Sequence, residues 1–149
     1  IRRMLAEGHE LGNHTQTHHH RLDSLARRHI RNELHYCEVN LRRVADRGFA
    51  LMRPPGMRYN ATVLEVAKEL GYTTVSWTVG ARDYEPVPAD FIVDRILRRV
   101  EPGSILLFHD GNPATVAALP RILTTLKREG YRFVTVSEMQ RRLPASVPR

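Results

Sequence analysis

Ser104-Ile105-Leu106-Leu107-Phe108-His109 is an unbroken apolar run closed by a histidine. A strand with one wet face alternates polar and apolar residues. A strand covered on both faces does not, because helices pack on each side of its sheet. The run therefore predicts a strand buried on both faces, in a parallel sheet. Before it, Glu101-Pro102-Gly103 reads as a turn. After it, the loop Asp110 to Pro113 leads to a helix from about Ala114 to Glu129, with a kink at Pro120 and a stop at Gly130.

The same alternation extends in both directions. Arg2 to Glu7 reads as a helix end stopped by Gly8, and His9 to Asn13 as a short strand. His14 to Arg21 is a polar loop, and Asp23 or Ser24 caps a long helix. Its stripe is Ile30, Leu34, Cys37, Leu41 and Val44, a one-sided helical spacing. Phe49 to Met52 is a strand that meets Arg53-Pro54-Pro55-Gly56, which can be neither helix nor ladder. Asn60 caps a helix over Ala61 to Leu70, which Gly71 stops. Tyr72 to Val79 is the longest β-rich run. A helix starts near Asp90 and ends near Val100; Tyr131 to Val136 is a last strand, and Ser137 with Glu138 opens a final helix. Five β-α units without a linker predict one α/β domain over residues 1–143, with a tail at 144–149.

Composition narrows the function classes. With 149 residues and 42% apolar content the chain can bury a real core. Cys37 is the only cysteine, which excludes a disulfide framework and a thiolate metal site. On a helix stripe it reads as a small buried hydrophobe. The net charge of +7 admits a nucleic-acid or anionic-polymer partner. The arginines are spread along helices, however, and no recognition-helix or zinc-finger pattern appears, so we expect no nucleic-acid partner. No apolar stretch is long enough for a membrane span, and no signal peptide is visible. The chain opens in what reads as the last turns of a helix, without an initiator methionine, so a preceding segment is expected.

The chemistry collects just past the strand ends, where parallel sheets and barrels place their ligands. Gly12-Asn13-His14-Thr15-Gln16-Thr17-His18 sets two imidazoles four residues apart. They are either surface histidines or metal ligands suited to zinc or a neighbouring first-row metal. Two histidines do not fill a metal site, and Asp83 and Asp110 are the visible candidates for a third ligand. His109 is either a core histidine or a general acid steadied by Asp83 or Asp110, since a carboxylate fixes an imidazole and favours its charged form. Arg53 makes a surface salt bridge or pins a carboxylate at the site. Trp77 and Tyr84 belong to the core or form the wall of a sugar site.

Four motifs, in order and in register, resemble the polysaccharide deacetylases: His14-Thr15-Gln16-Thr17-His18, Arg53-Pro54-Pro55-Gly56, Asp83-Tyr84 and Leu107-Phe108-His109. The resemblance runs from about His9 to Val136. It implies a distorted β/α barrel, truncated at its N-terminus by at least one strand. It implies hydrolysis of acetyl groups on N- or O-acetylated sugars of a polysaccharide, with a divalent metal, zinc first and Co2+, Ni2+ or Mn2+ as substitutes. His14 and His18 then look like metal ligands, and Thr15 like a residue that braces their loop by hydrogen bonding. Arg53 looks like the arginine that orients the base, and the Gly56 N–H like an oxyanion donor. Leu107 looks like the lining of the acetyl pocket, His109 like the general acid, and Asp83 like its partner.

The family's Thr-Phe-Asp-Asp motif, with the base and the third metal ligand, is absent and is expected before Ile1. Gly80-Ala81-Arg82-Asp83-Tyr84 replaces the usual Asp-x-x-Asp-Trp, and Met57 stands where a glycine is usual. The resemblance also suggests a secreted or cell-envelope location. It leaves open a catalytically impaired binding module, or a hydrolase of other non-peptide C–N bonds.

Overall fold

The computed structural model describes residues 1–45 and 48–142. The expected domain end at 143 and the tail at 144–149 lie outside them. The chain forms two compact units, Ile1–Ser76 and Trp77–Arg149. No helix among the described residues is long and apolar enough to cross a membrane.

In the first unit, helix α1 (Arg2–Ala6) ends at Glu7, and Gly8 turns the chain with φ 84°. The expected strand at 9–13 shrinks to a single parallel bridge between Asn13 and Met52. Leu22–Ser24 forms a separate 3-10 turn, and α2 starts later than expected, spanning Arg27–Ala45. Asp23 is not its cap; its carboxylate pairs with Arg58 at 3.0 Å, and its carbonyl accepts from the Asn60 amide at 2.8 Å. Ile30 and Leu34 of the α2 stripe are fully buried, whereas Cys37, Leu41 and Val44 are half-buried. Strand β1 (Leu51–Met52) pairs in parallel with β2 (Thr73–Thr74). Helix α3 (Ala61–Glu69) lies between them in sequence. Its cap is Asn60, whose side chain accepts from the Val63 N–H at 3.0 Å, as expected. Val63, Val66 and Ala67 meet Ile30, Leu34, Leu22 and Met52 in one core. Burying each of the larger side chains stabilises the unit by about 1.5–3 kcal/mol.

In the second unit, β3 (Val79–Gly80) pairs in parallel with β4 (Leu106–Leu107). The β-rich run over 72–79 is therefore not one strand. Its two ends join different ladders, in different units. The run at 104–109 is also not buried on both faces: Leu106, Leu107 and Phe108 are half-buried and His109 is exposed. Pattern fixed its parallel pairing but not its depth. Helix α4 (Ala89–Leu97) packs on α5 (Pro113–Arg128), with Ile92, Val93 and Ile96 against Ala118, Ile122 and Leu126. Helix α5 runs without interruption past Pro120. Residues 131–135 form no ladder among the described residues, contrary to the expected last strand. Helix α6 (Val136–Arg142) follows, opened by the Thr135 hydroxyl, which accepts from the Glu138 N–H at 3.2 Å. The fold is thus α/β with parallel pairing.

Candidate active site

The first unit holds the His14–His18 loop. Asn13 anchors it from below and is 1% exposed. Its amide donates to the Leu34 carbonyl at 2.8 Å and to the Tyr72 hydroxyl at 3.0 Å, and its side-chain oxygen accepts from the Thr15 N–H at 2.9 Å. Its backbone bonds to Leu51 and Arg53. The Tyr72 hydroxyl then donates to Glu38 at 2.8 Å. Burial is the main cause that pushes this phenol well above its ordinary pKa. Further along the loop, the Thr17 N–H and hydroxyl both donate to the Glu33 carboxylate at 2.9 Å.

The Thr15 hydroxyl is buried and has no hydrogen-bond partner. The brace expected from it comes instead from Asn13 and from Thr17 with Glu33. Thr15 and His18 both have left-handed backbones, φ 68° and φ 55°. Such conformations cost of order 1–3 kcal/mol away from glycine, and a β-branched residue tolerates them worst. The same strain recurs at Met57 (φ 53°), beside Gly56 (φ 55°), and at Arg82 (φ 59°), beside Asp83. Among the described residues, the four non-glycine residues with positive φ lie within or against one of the quoted motifs. The glycine that the resemblance leads one to expect at position 57 would adopt this backbone without that strain.

The rings of His14 and His18 meet edge-on, with centroids 5.0 Å apart, and His20 lies 5.1 Å beyond His18. The His14 Nδ1 lies 2.6 Å from the Arg53 carbonyl oxygen. A carbonyl only accepts, so Nδ1 carries a proton, and in the neutral ring Nε2 keeps its lone pair. That is how a metal-binding imidazole is commonly held, so the residues present fit a divalent cation. Among the described residues no group of three His, Cys, Asp or Glu is gathered at ligating distance. The half-buried Arg53 guanidinium reaches the carbonyls of Val75 at 3.2 Å and Ser76 at 3.3 Å. Burial lowers its pKa from the ordinary value. Gly56 sits exposed in the 3-10 turn Pro55–Met57.

The second unit holds His109. Asp83, 1% exposed, accepts the His109 backbone N–H on Oδ2 at 2.7 Å and its ring Nδ1 on Oδ1 at 2.8 Å. The Thr115 hydroxyl adds a bond to Oδ2 at 2.8 Å. Burial alone would push the Asp83 carboxyl up, but the His109 bonds and Thr115 outweigh it and hold it below the ordinary carboxylate value. Asp83 is therefore an ionised acceptor with both oxygens engaged, rather than the third metal ligand weighed from sequence. Asp110, the other candidate, is exposed. The His109 side chain is 48% exposed, so the ring is fixed at one nitrogen while part of it stays open. Tyr84, 69% exposed, meets that ring edge-on at 5.9 Å. Leu107 is half-buried on β4, and Trp77 lies over Gly80, where a Cβ would come 3.3 Å from the indole Nε1.

Sequence reasoning missed Asn13, Glu33, Tyr72, Asn112 and Thr115. Asn112 had a signal, being an asparagine just before a helix-opening proline. The others had none, since their partners are distant in the chain.

Comparisons with known proteins agree with these motifs. Residues 1–75 match the profile of the family described as polysaccharide deacetylase. A peptidoglycan-N-acetylglucosamine deacetylase of Bacillus cereus is 39% identical over 146 residues, covering 95% of this chain and 68% of that protein. A chitooligosaccharide deacetylase of Sinorhizobium fredii is 34% identical over 145 residues, covering 88% of this chain and 67% of the relative. Among solved structures, a CE4-family pseudoenzyme from Bacillus anthracis superposes with a TM-score of 0.86 at 26% identity, over 93% of this chain and 48% of that one. With two curated deacetylases this similar, and four motifs in register, the chain belongs to the polysaccharide deacetylase family.

Proposed function

We propose that this chain is the catalytic part of a metal-dependent hydrolase that removes acetyl groups from N-acetylated sugars of peptidoglycan or chitin oligomers, as the names of its relatives suggest. The observation that carries this reading is the contrast in how two histidines are held: His14 by a carbonyl, His109 by a buried carboxylate. The first arrangement suits a neutral ligand, the second a proton donor.

His14 and His18 would hold a divalent cation, zinc first and Co2+, Ni2+ or Mn2+ as substitutes. When bound, such a cation supplies a Lewis acid for the acetyl carbonyl and makes bound water more acidic. Arg53 would orient the carboxylate that serves as base, which the resemblance expects before Ile1. The Gly56 N–H would donate to the carbonyl oxygen as it gains charge. Leu107 would face the acetyl methyl, with Tyr84 and Trp77 beside the sugar. His109, its Nδ1 held on Asp83, would pass a proton from Nε2 to the leaving amine. In the whole protein the parallel pairs would belong to a distorted β/α barrel, acting outside the cell or in its envelope.

A second reading is a binding module without turnover. It is favoured by the similarity to a pseudoenzyme. One experiment separates the two: metal content and acetate release on chitooligosaccharides, peptidoglycan and acetylated xylan, before and after chelation. The hydrolase reading expects release that chelation abolishes and zinc restores. Release that survives both chelation and His14→Ala sinks the metal-dependent mechanism. Metal and saccharide binding without acetate favours the module.

A further inference from the structure

We infer that Thr115, with Asn112, is a positioning residue for His109, acting through Asp83. The inference rests on the proton-donor reading of His109 given above. Three observations carry it. Thr115 is 2% exposed, and its hydroxyl donates to Asp83 Oδ2 at 2.8 Å. Asn112 caps α5, accepting from the Ala114 N–H at 2.8 Å and the Thr115 N–H at 3.4 Å, while its amide donates to the Asp83 backbone carbonyl. The first turn of α5 therefore grips Asp83 at both its carboxylate and its backbone.

The arrangement has a geometric purpose. A carboxylate with one free oxygen rotates about its last bond and can offer a ring N–H either oxygen. Here Oδ2 is pinned by two donors, the Thr115 hydroxyl and the His109 backbone N–H. That leaves Oδ1 for the His109 ring, which fixes the tautomer with Nδ1 protonated and Nε2 pointing away from Asp83. Valine at 115 keeps the shape and loses the hydroxyl, so only one donor still holds Oδ2. Serine keeps the hydroxyl.

The test reads the His109 ring directly, by 15N NMR of the histidine side chains in the full chain, with the signals assigned by His109→Gln. In the native protein, at a pH high enough to keep imidazoles neutral, His109 should show one dominant tautomer, with a slowly exchanging Nδ1 proton. Thr115→Val should mix the tautomers and speed that exchange, and Thr115→Ser should restore both. Thr115→Ala serves as a second donor-free variant. A purely structural role would lower the melting temperature and leave the ring signals unmoved. Ring signals unchanged in both donor-free variants overturn the inference. In acetate release from chitooligosaccharide, Thr115→Val should lower kcat about 10-fold or more at nearly constant KM, as loss of an outer-shell hydrogen bond does elsewhere. A disturbed ring with unchanged kcat keeps Thr115 as the holder of Asp83 and removes His109 as the acid, so the two readings fail separately.

Discussion

Two fully buried polar side chains, Asn13 and Asp83, each 1% exposed, support the two histidine sites. Asn13 is neutral and meets Leu34, Tyr72 and Thr15 through donors and an acceptor. It shapes a loop and leaves His14 to a backbone carbonyl. Asp83 is charged, accepts from three donors on its side chain, and touches the His109 ring itself. On the proposed mechanism, the difference matches the chemistry each ring would perform. A metal competes with a proton for the same lone pair, so a carboxylate at Nδ1 that favoured the charged imidazole would weaken the ligand. An acid needs that carboxylate. Burying Asn13 costs little because its hydrogen bonds are satisfied; burying Asp83 is tolerable only because three donors replace its water.

Breaking the contrast in the second unit should have the largest effect. Asp83→Asn turns the carboxylate into an amide that presents donors to the His109 N–H groups. Acetate release should fall by on the order of 100-fold or more, as loss of general acid catalysis does, while bound metal measured by elemental analysis is unchanged. The complementary variant, His14→Ala, should lose the metal. Equal metal loss in both would collapse the distinction.

The next effect concerns stability. Asn13→Leu leaves the buried Thr15 N–H without its partner and removes a donor from the Leu34 carbonyl and the Tyr72 hydroxyl, and should cost about 1–3 kcal/mol in urea unfolding. It should act on the first unit and leave the His109 ring signals as they are.

A pH series sharpens the contrast further. The folded carboxyl of Asp83 is held below its ordinary value. The folded state therefore binds fewer protons than the unfolded state, and stability rises with pH in that range. Asp83 contributes fully at neutral pH, and its contribution is lost as pH falls from the ordinary carboxylate range through the folded value. Urea midpoints followed by Trp77 fluorescence should fall on acidification, and less steeply in Asp83→Asn. An equal slope in both would remove Asp83 as the cause. No such dependence should attach to Asn13.

The smallest effect is expected at Met57. Met57→Gly relieves a left-handed backbone and should stabilise the protein by at most about 1 kcal/mol, offset in part by the loss of a half-buried side chain. A melting temperature unchanged or lower would mean that packing outweighs the strain.

Local pattern made much of this molecule legible. The Asn60 cap and the Gly8 and Gly71 stops depend on residues adjacent in sequence, and so did the motif order. Asp83 with His109 could be paired because the family motif names both. Thr115 with Asp83, and Asn13 with Tyr72, could not, because 32 and 59 residues separate the partners and nothing in their spacing marks them. Strand length was misjudged for a related reason. An apolar or β-branched run shows that a segment can pair, but only a neighbouring backbone determines how far it does. The run 72–79 was divided between two ladders, and 131–136 was left without one among the described residues.

The sequence by itself determined the α/β class and the family, because these rest on periodicity and on fixed local spacing. Only the tertiary structure decided which partner each histidine has, where the backbone is strained, and which buried side chains hold the site in place. Those depend on distances between segments remote in the chain, set by packing rather than by any residue's own preference.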